Sequence, residues 1–128
     1  MVIIVQKIVE CNLIVNSEID GKHDSVTING KGYYKNDNKE IIIYFSSNEN
    51  KYKYLYKDNK LYVFSNDSCY EFSEKNYSFG EIKNGDFSLK ITTFASKIEI
   101  YSDSIVLDYT LSQQDTIIGK YNSILSFK

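Results

Sequence analysis

Lys51-Tyr52-Lys53-Tyr54-Leu55-Tyr56-Lys57-Asp58-Asn59-Lys60-Leu61-Tyr62 decides the fold. Tyr52, Tyr54 and Tyr56 share one face, while Lys51, Lys53, Leu55 and Lys57 share the other. A period of two belongs to a strand that is buried on one side only. Asp58-Asn59 then separates this run from the next apolar one. Asn and Asp tolerate positive φ, so two such residues between alternating runs predict a two-residue type I′ hairpin.

The same pattern extends in both directions. Toward the C-terminus, Asn66-Asp67 turns into Cys69–Phe72, and a further strand is expected from Tyr77 to Ile82. Asn84-Gly85 is the strongest hairpin signal in the chain; after it Phe87, Leu89 and Ile91 alternate with Ser88, Lys90 and Thr92. One strand from Phe87 to Tyr101 would measure about 50 Å at ~3.4 Å per residue, too long for a small barrel. A bend or break is therefore expected near Ala95-Ser96, with Ile98 and Ile100 forming the face beyond it. Asp103-Ser104 turns into Ile105, Leu107, Tyr109 and Leu111, and Gln113–Asp115 turns into a last strand over 117–127.

Toward the N-terminus, Glu40–Ser46 lies between Asn36-Asp37-Asn38 and Asn48-Glu49-Asn50. A strand over 24–34 places Val26, Ile28, Gly30, Gly32 and Tyr34 on one face. Two glycines there either leave room for something large opposite or mark a bend. Beyond the Asp20-Gly21 turn, a strand over 2–15 carries Ile3, Val5, Val9, Cys11, Leu13 and Val15 on a face broken only by Lys7.

Proline, tryptophan and arginine are absent from the 128 residues, and 42% of the chain is hydrophobic. That content supports a core and argues against disorder. Nine or ten short strands with closely spaced turns predict an all-β fold: a single antiparallel, mostly up-and-down β-barrel of about 8–10 strands, one domain over 1–128. The abundance of Asn, Lys, Ile and Tyr also fits A/T-rich codon usage, which weakens the 12 tyrosines as a sign of a binding surface. A net charge of −2 supplies no field for nucleic acid or anionic lipid. Cys11 and Cys69 lack CxxC spacing and read as reduced thiols. The apolar run at the N-terminus stops at Gln6, unlike a secretory signal, and no run approaches a membrane span. A soluble cytoplasmic protein with no membrane partner is expected.

Several runs together resemble the YwiB-like family. They are Gly32 with Tyr34 and Ile43-Tyr44; Tyr70-Glu71-Phe72; Gly85-x-Phe87-x-Leu89-x-Ile91-Thr92; and Leu107-x-Tyr109-x-Leu111. Their order spans the chain from about residue 20 onward. The resemblance implies a small bacterial barrel of calycin type, lipocalin-like in architecture, and implies no reaction. The chain departs from the family pattern at Ile82-Lys83-Asn84-Gly85 and at Ser46-Ser47.

Chemistry-bearing residues are sparse. His23 is the only histidine, and a metal site built on His wants two or three suitable ligands. No GxSxG, P-loop or dinucleotide fingerprint occurs; Gly30-Lys31-Gly32 lacks both the spacing and the helix. No cofactor, no metal and no enzymatic activity are expected. The one catalytic exception would be a mouth site joining His23 to Asp20, Asp24 or Glu18. Residues 31–60 hold seven lysines against four acids, but the tyrosines and lysines lie on opposite faces, which counts against a single-stranded nucleic-acid platform.

About eight strands enclose either a side-chain-filled core, the commoner outcome, or room for one small ligand. The first functional reading is a small apolar or aromatic ligand held in the interior by Gly32, Tyr34, Tyr52, Tyr54, Tyr56 and Tyr109. The alternative is a non-catalytic interaction module with a solid core and an unknown protein partner.

Overall fold

The computed structural model describes residues 4–128. Ile3, expected on the first inward face, lies outside them. Ten strands follow one another: β1 (Val5–Ile19), β2 (Lys22–Asn36), β3 (Glu40–Ser47), β4 (Asn50–Lys57), β5 (Lys60–Ser65), β6 (Ser68–Ser73), β7 (Tyr77–Asn84), β8 (Phe87–Ile100), β9 (Ser104–Gln113) and β10 (Thr116–Phe127). Each pairs antiparallel with its neighbour in sequence, and β1 pairs with β10, closing an up-and-down barrel. No helix among the described residues is long and apolar enough to cross a membrane.

Turn chemistry sets the registers. Asp58 and Asn59 both have positive φ (53° and 63°), as type I′ geometry requires. Asp20-Gly21, Asn48-Glu49 and Gln114-Asp115 do the same. At the Asn84-Gly85 signal the two central residues are instead Gly85 and Asp86, because Asn84 pairs with Phe87. Gly85 takes a φ of 62°, and positive φ at the first central residue alone is the type II′ pattern.

The long eighth strand is not broken. A register shift between Ala95 and Lys97 inserts one residue. Before this bulge Ile91, Thr93 and Ala95 are buried; after it Ile98 and Ile100 pack on the core. The extra residue bends the strand and switches the inward parity. A second bulge, between Ile117 and Gly119 in β10, went unread in the sequence.

Two inward-face expectations need correcting. Val5 and Val26 are exposed, at 45% and 51%. Val5 stands at the rim, and Lys7 on the same face lays its Nζ 5.5 Å from the centre of the Tyr34 ring. Val26 lies where β2 pairs with β1 alone, since pairing with β3 begins only at Lys31.

Gly30 and Gly32 let the β3 backbone approach closely. A Cβ on Gly32 would meet the Tyr44 carbonyl oxygen at 1.7 Å, and one on Gly30 would meet the Ser46 carbonyl oxygen at 2.1 Å. Backbone, not ligand, fills the space the missing side chains leave. Gly32→Ala is therefore expected to cost at least 1–3 kcal/mol, the usual range for overpacking, because a strand carbonyl cannot swing aside like a side-chain tip. Urea unfolding checks this; a midpoint equal to wild type would contradict the close approach.

The core is concentrated at one end of the barrel. That end carries the 37–39, 58–59, 74–76 and 101–103 connections together with the C-terminus. Val9, Tyr34, Ile43, Leu61, Ile105, Leu125 and Phe127 are buried there. Tyr34 stacks on Phe127 with centroids 5.2 Å apart. The C-terminal residue is tied in by Lys128 N–H donating to the Glu10 carbonyl (3.1 Å) and Glu10 N–H donating back to Lys128 (2.7 Å).

Candidate functional site

The opposite end, with the 20–21, 48–49, 66–67, 85–86 and 114–115 hairpins, is hollow. A cavity of about 400 Å³ lies inside the barrel wall. Leu13 and Val15 of β1, Ile28 of β2, Val63 of β5, and Leu107 and Leu111 of β9 supply aliphatic wall. Tyr52 and Tyr54 of β4, Tyr70 and Phe72 of β6, Tyr109 of β9 and Tyr121 of β10 supply aromatic wall. Ser65 and Ser123 add hydroxyls. Ser65, Ile82 and Ile118 line the cavity and are partly solvent-exposed, so solvent reaches it from the hairpin end.

The period of two delivers most of this wall. Tyr52, Tyr54 and Tyr56 point inward with their lysine neighbours outside; Lys53 instead places its Nζ 5.6 Å from the centre of the outward Phe64 ring. Ile118 is the exception: its even-numbered position becomes inward only because of the β10 bulge. The aromatics form a continuous row. Phe72 contacts Tyr70 at 6.4 Å and Tyr109 at 4.9 Å, and Tyr109 stacks on Tyr121 at 5.0 Å and 15°.

Four of the phenols, Tyr54, Tyr70, Tyr109 and Tyr121, stay protonated well above neutral pH. Burial pushes Tyr54 and Tyr109 far up, and raises Tyr70 and Tyr121 as well. Ser123 hydrogen-bonds Tyr54, which opposes the shift there. On Tyr109 only burial and the neighbouring phenols Tyr54, Tyr121 and Tyr70 act.

Of the six residues expected to hold a ligand, the structure brings Tyr52, Tyr54 and Tyr109 together around the cavity. Tyr34 packs in the filled end, where its hydroxyl accepts a hydrogen bond from Asn36 Nδ2 at 3.2 Å. Tyr56 packs on the core from the same end, and Gly32 is closed off by the β3 backbone. Tyr70, Phe72, Tyr121 and Ser123 were missed as wall residues. Their odd or even parity was legible, but which strands face each other across the hollow end was not.

The wall has one loosely laddered seam beside the cavity. Strands β6 and β7 are in register only at Cys69–Glu81 and Tyr70–Gly80. Side chains complete it: Ser68 Oγ accepts from the Lys83 N–H at 3.0 Å, the Ser78 hydroxyl donates to the Glu71 carboxylate, and the Thr93 hydroxyl donates to the Glu71 carbonyl at 2.5 Å.

Of the mouth residues, Glu18 and Asp24 each border a surface pocket with His23, and Asp20 lines neither of these pockets. His23 faces Glu18 across the β1–β2 ladder, and both border an open polar groove on the outer wall with Asp108 and Lys120. Asp24 accepts a hydrogen bond from its neighbour Ser25. Among the described residues no group of three or more His, Cys, Asp and Glu side chains comes together as a metal site. The groove is comparable in volume, about 440 Å³, but its polar lining is ordinary solvated surface, whereas the interior cavity is apolar and walled by strands.

Neither thiol is activated. Burial, with Glu10 adding, pushes Cys11 up to about 11, and burial followed by Glu71 and Glu81 raises Cys69. At pH 8 a thiol reagent is expected to titrate the folded protein slowly at half-buried Cys69 and not at buried Cys11. Rapid modification of Cys11 without unfolding would contradict its placement.

Comparison with protein-family models gives no match, and comparison with curated proteins gives none either. Among solved structures, the crystal structure of ywiB protein from Bacillus subtilis matches with a TM-score of 0.80, covering 96% of this chain and 92% of that one at 11% identity. Likeness at this identity is likeness of fold, and it agrees with the barrel that the YwiB-like resemblance implied.

Proposed function

We propose that the protein is a small-molecule binding barrel, taking a small apolar or aromatic ligand in the hollow half of its interior. The observation that carries this reading is the asymmetry of the interior: one end packed with Phe127, Leu125 and Ile43, the other left with about 400 Å³ inside an apolar wall. Ligand pockets of roughly 300–1,000 Å³ have this make-up, mostly apolar with a few polar groups. A solid-core module would have no use for the void, since unfilled volume costs stability in proportion to its size.

The test is thermal unfolding with and without 2-naphthol. A ligand at about 100 times its Kd adds roughly 2.7 kcal/mol to stability. The expected result is a concentration-dependent rise in Tm that is smaller in Val63→Phe, where the new ring takes up part of the cavity. No rise with 2-naphthol or with any similar ring compound would end the reading.

A second reading has its own observation. Tyr77 and Phe79 point outward from β7 and are 74% and 72% exposed, with Phe94 4.9 Å from the Tyr77 ring. Exposed aromatics in a group mark docking surfaces. On this reading Tyr77→Ser/Phe79→Ser abolishes association seen by sedimentation and leaves ligand-induced Tm shifts untouched.

A further inference from the structure

We infer that the cavity selects an uncharged ligand: a mostly apolar molecule about the size of two fused rings, carrying one or two neutral hydrogen-bonding groups. This rests on the ligand-binding reading above and specifies the ligand class.

The lining carries no charge. None of its sixteen residues is Lys, Asp, Glu or His. Its polar side chains are those of tyrosine and serine. A carboxylate or ammonium moved from water into such a wall loses its hydration and meets no counter-charge, a penalty of several kcal/mol. A neutral hydroxyl or carbonyl loses far less and is matched by the phenols. Burial raises Tyr70, Tyr109 and Tyr121, so each is a neutral hydroxyl at pH 7.5 and able to donate.

Aromatic walls can also cage cations, but a cage turns several ring faces toward one point. Here Tyr109 and Tyr121 lie at 15° to each other, and Tyr70 and Phe72 at 16°. Within each pair one ring face is spent on the other ring, and the two pairs meet at 59° between Phe72 and Tyr109, so the row is an angled wall of two planes and not a ring of faces around one point. Size follows from volume. An apolar void of about 150 Å³ holds benzene, so about 400 Å³ accommodates a molecule roughly twice as large.

Isothermal titration of the wild-type protein at pH 7.5 with four compounds of one skeleton tests the inference. They are 2-naphthol, 2-methylnaphthalene, 2-naphthoate and (2-naphthylmethyl)trimethylammonium. The expected order puts 2-naphthol first, with both ions more than tenfold weaker and on the order of 100-fold. Either ion binding within tenfold of 2-naphthol, or tighter, overturns the inference while leaving a ligand-binding cavity in place. Binding by none of the four overturns the cavity reading itself, and the inference with it. A Tyr109→Phe/Tyr121→Phe variant adds a second readout: 2-naphthol should weaken several-fold and 2-methylnaphthalene should not. Equal weakening of both would mean that the phenols act only as wall.

Discussion

Phe127→Ala is expected to destabilise the barrel by roughly 3–5 kcal/mol, the range for removing a fully buried aromatic ring. Phe127 has no exposed surface, stacks on Tyr34 and sits among Leu125, Ile105 and Val9. Its strand is anchored to β1 through Cys11–Phe127 pairing and to the 101–103 connection through the Phe127 N–H bond to Asp103. The surrounding closed sheet cannot collapse into the gap. The same probe applied at the other end should give the opposite outcome. Val15→Phe or Val63→Phe adds a ring where the cavity already has room, so either should be neutral or stabilising. Urea unfolding of the three variants, read as midpoint shifts at constant m, separates the two ends. A cost of several kcal/mol for Val63→Phe would mean that the hollow end is packed.

Alkaline pH is the second large lever. Burial holds the Tyr54 and Tyr109 phenols above their ordinary range. A raised acid retains its proton in the folded chain after the unfolded chain has lost it. The stability tied to these groups is fully present below about pH 10 and is lost as pH rises from there toward the folded-state values. Each group contributes a slope of about 1.4 kcal/mol per pH unit, so the pair gives roughly 2.7. Unfolding free energy should be flat from pH 7 to 9 with respect to these groups and fall steeply above 10. Tyr54→Phe/Tyr109→Phe should remove the share of that fall due to these two groups, leaving the shares of Tyr70, Tyr121 and Cys11, which burial also raises. An unchanged alkaline slope in the double variant would show that these phenols are hydrated and that the cavity is open water.

The strand pattern was legible because each strand is solvated on one side. Tyr52, Tyr54 and Tyr56 could face inward only if Lys51, Lys53 and Lys57 faced out, and the Asn/Asp/Gly turns fixed where each strand ended. The bend after Ala95 was legible from strand length alone. What alternation cannot carry is position along the barrel axis. Tyr34, Tyr54 and Tyr109 look equivalent in sequence, yet Tyr34 packs in the filled end and the other two border the void. That difference arises from the stagger of the strands as the sheet closes, set by β1–β10 pairing between residues more than a hundred positions apart. The bulge before Gly119, which turns Ile118 inward, likewise has no mark in the alternation of the sequence. Gly32 illustrates the converse: a glycine facing in suggested room, and the neighbouring strand took it.

The proposed function requires half of this barrel to be a working cavity. Fluorescence titration with 1-naphthylamine, a neutral two-ring compound whose emission shifts to the blue in apolar surroundings, tests this. The expected result is saturable one-to-one binding to the wild-type protein, displacement by 2-naphthol, and several-fold weaker binding to Val63→Phe despite an unchanged β circular-dichroism spectrum. Absence of binding to wild type, or equal binding to wild type and Val63→Phe, would contradict it.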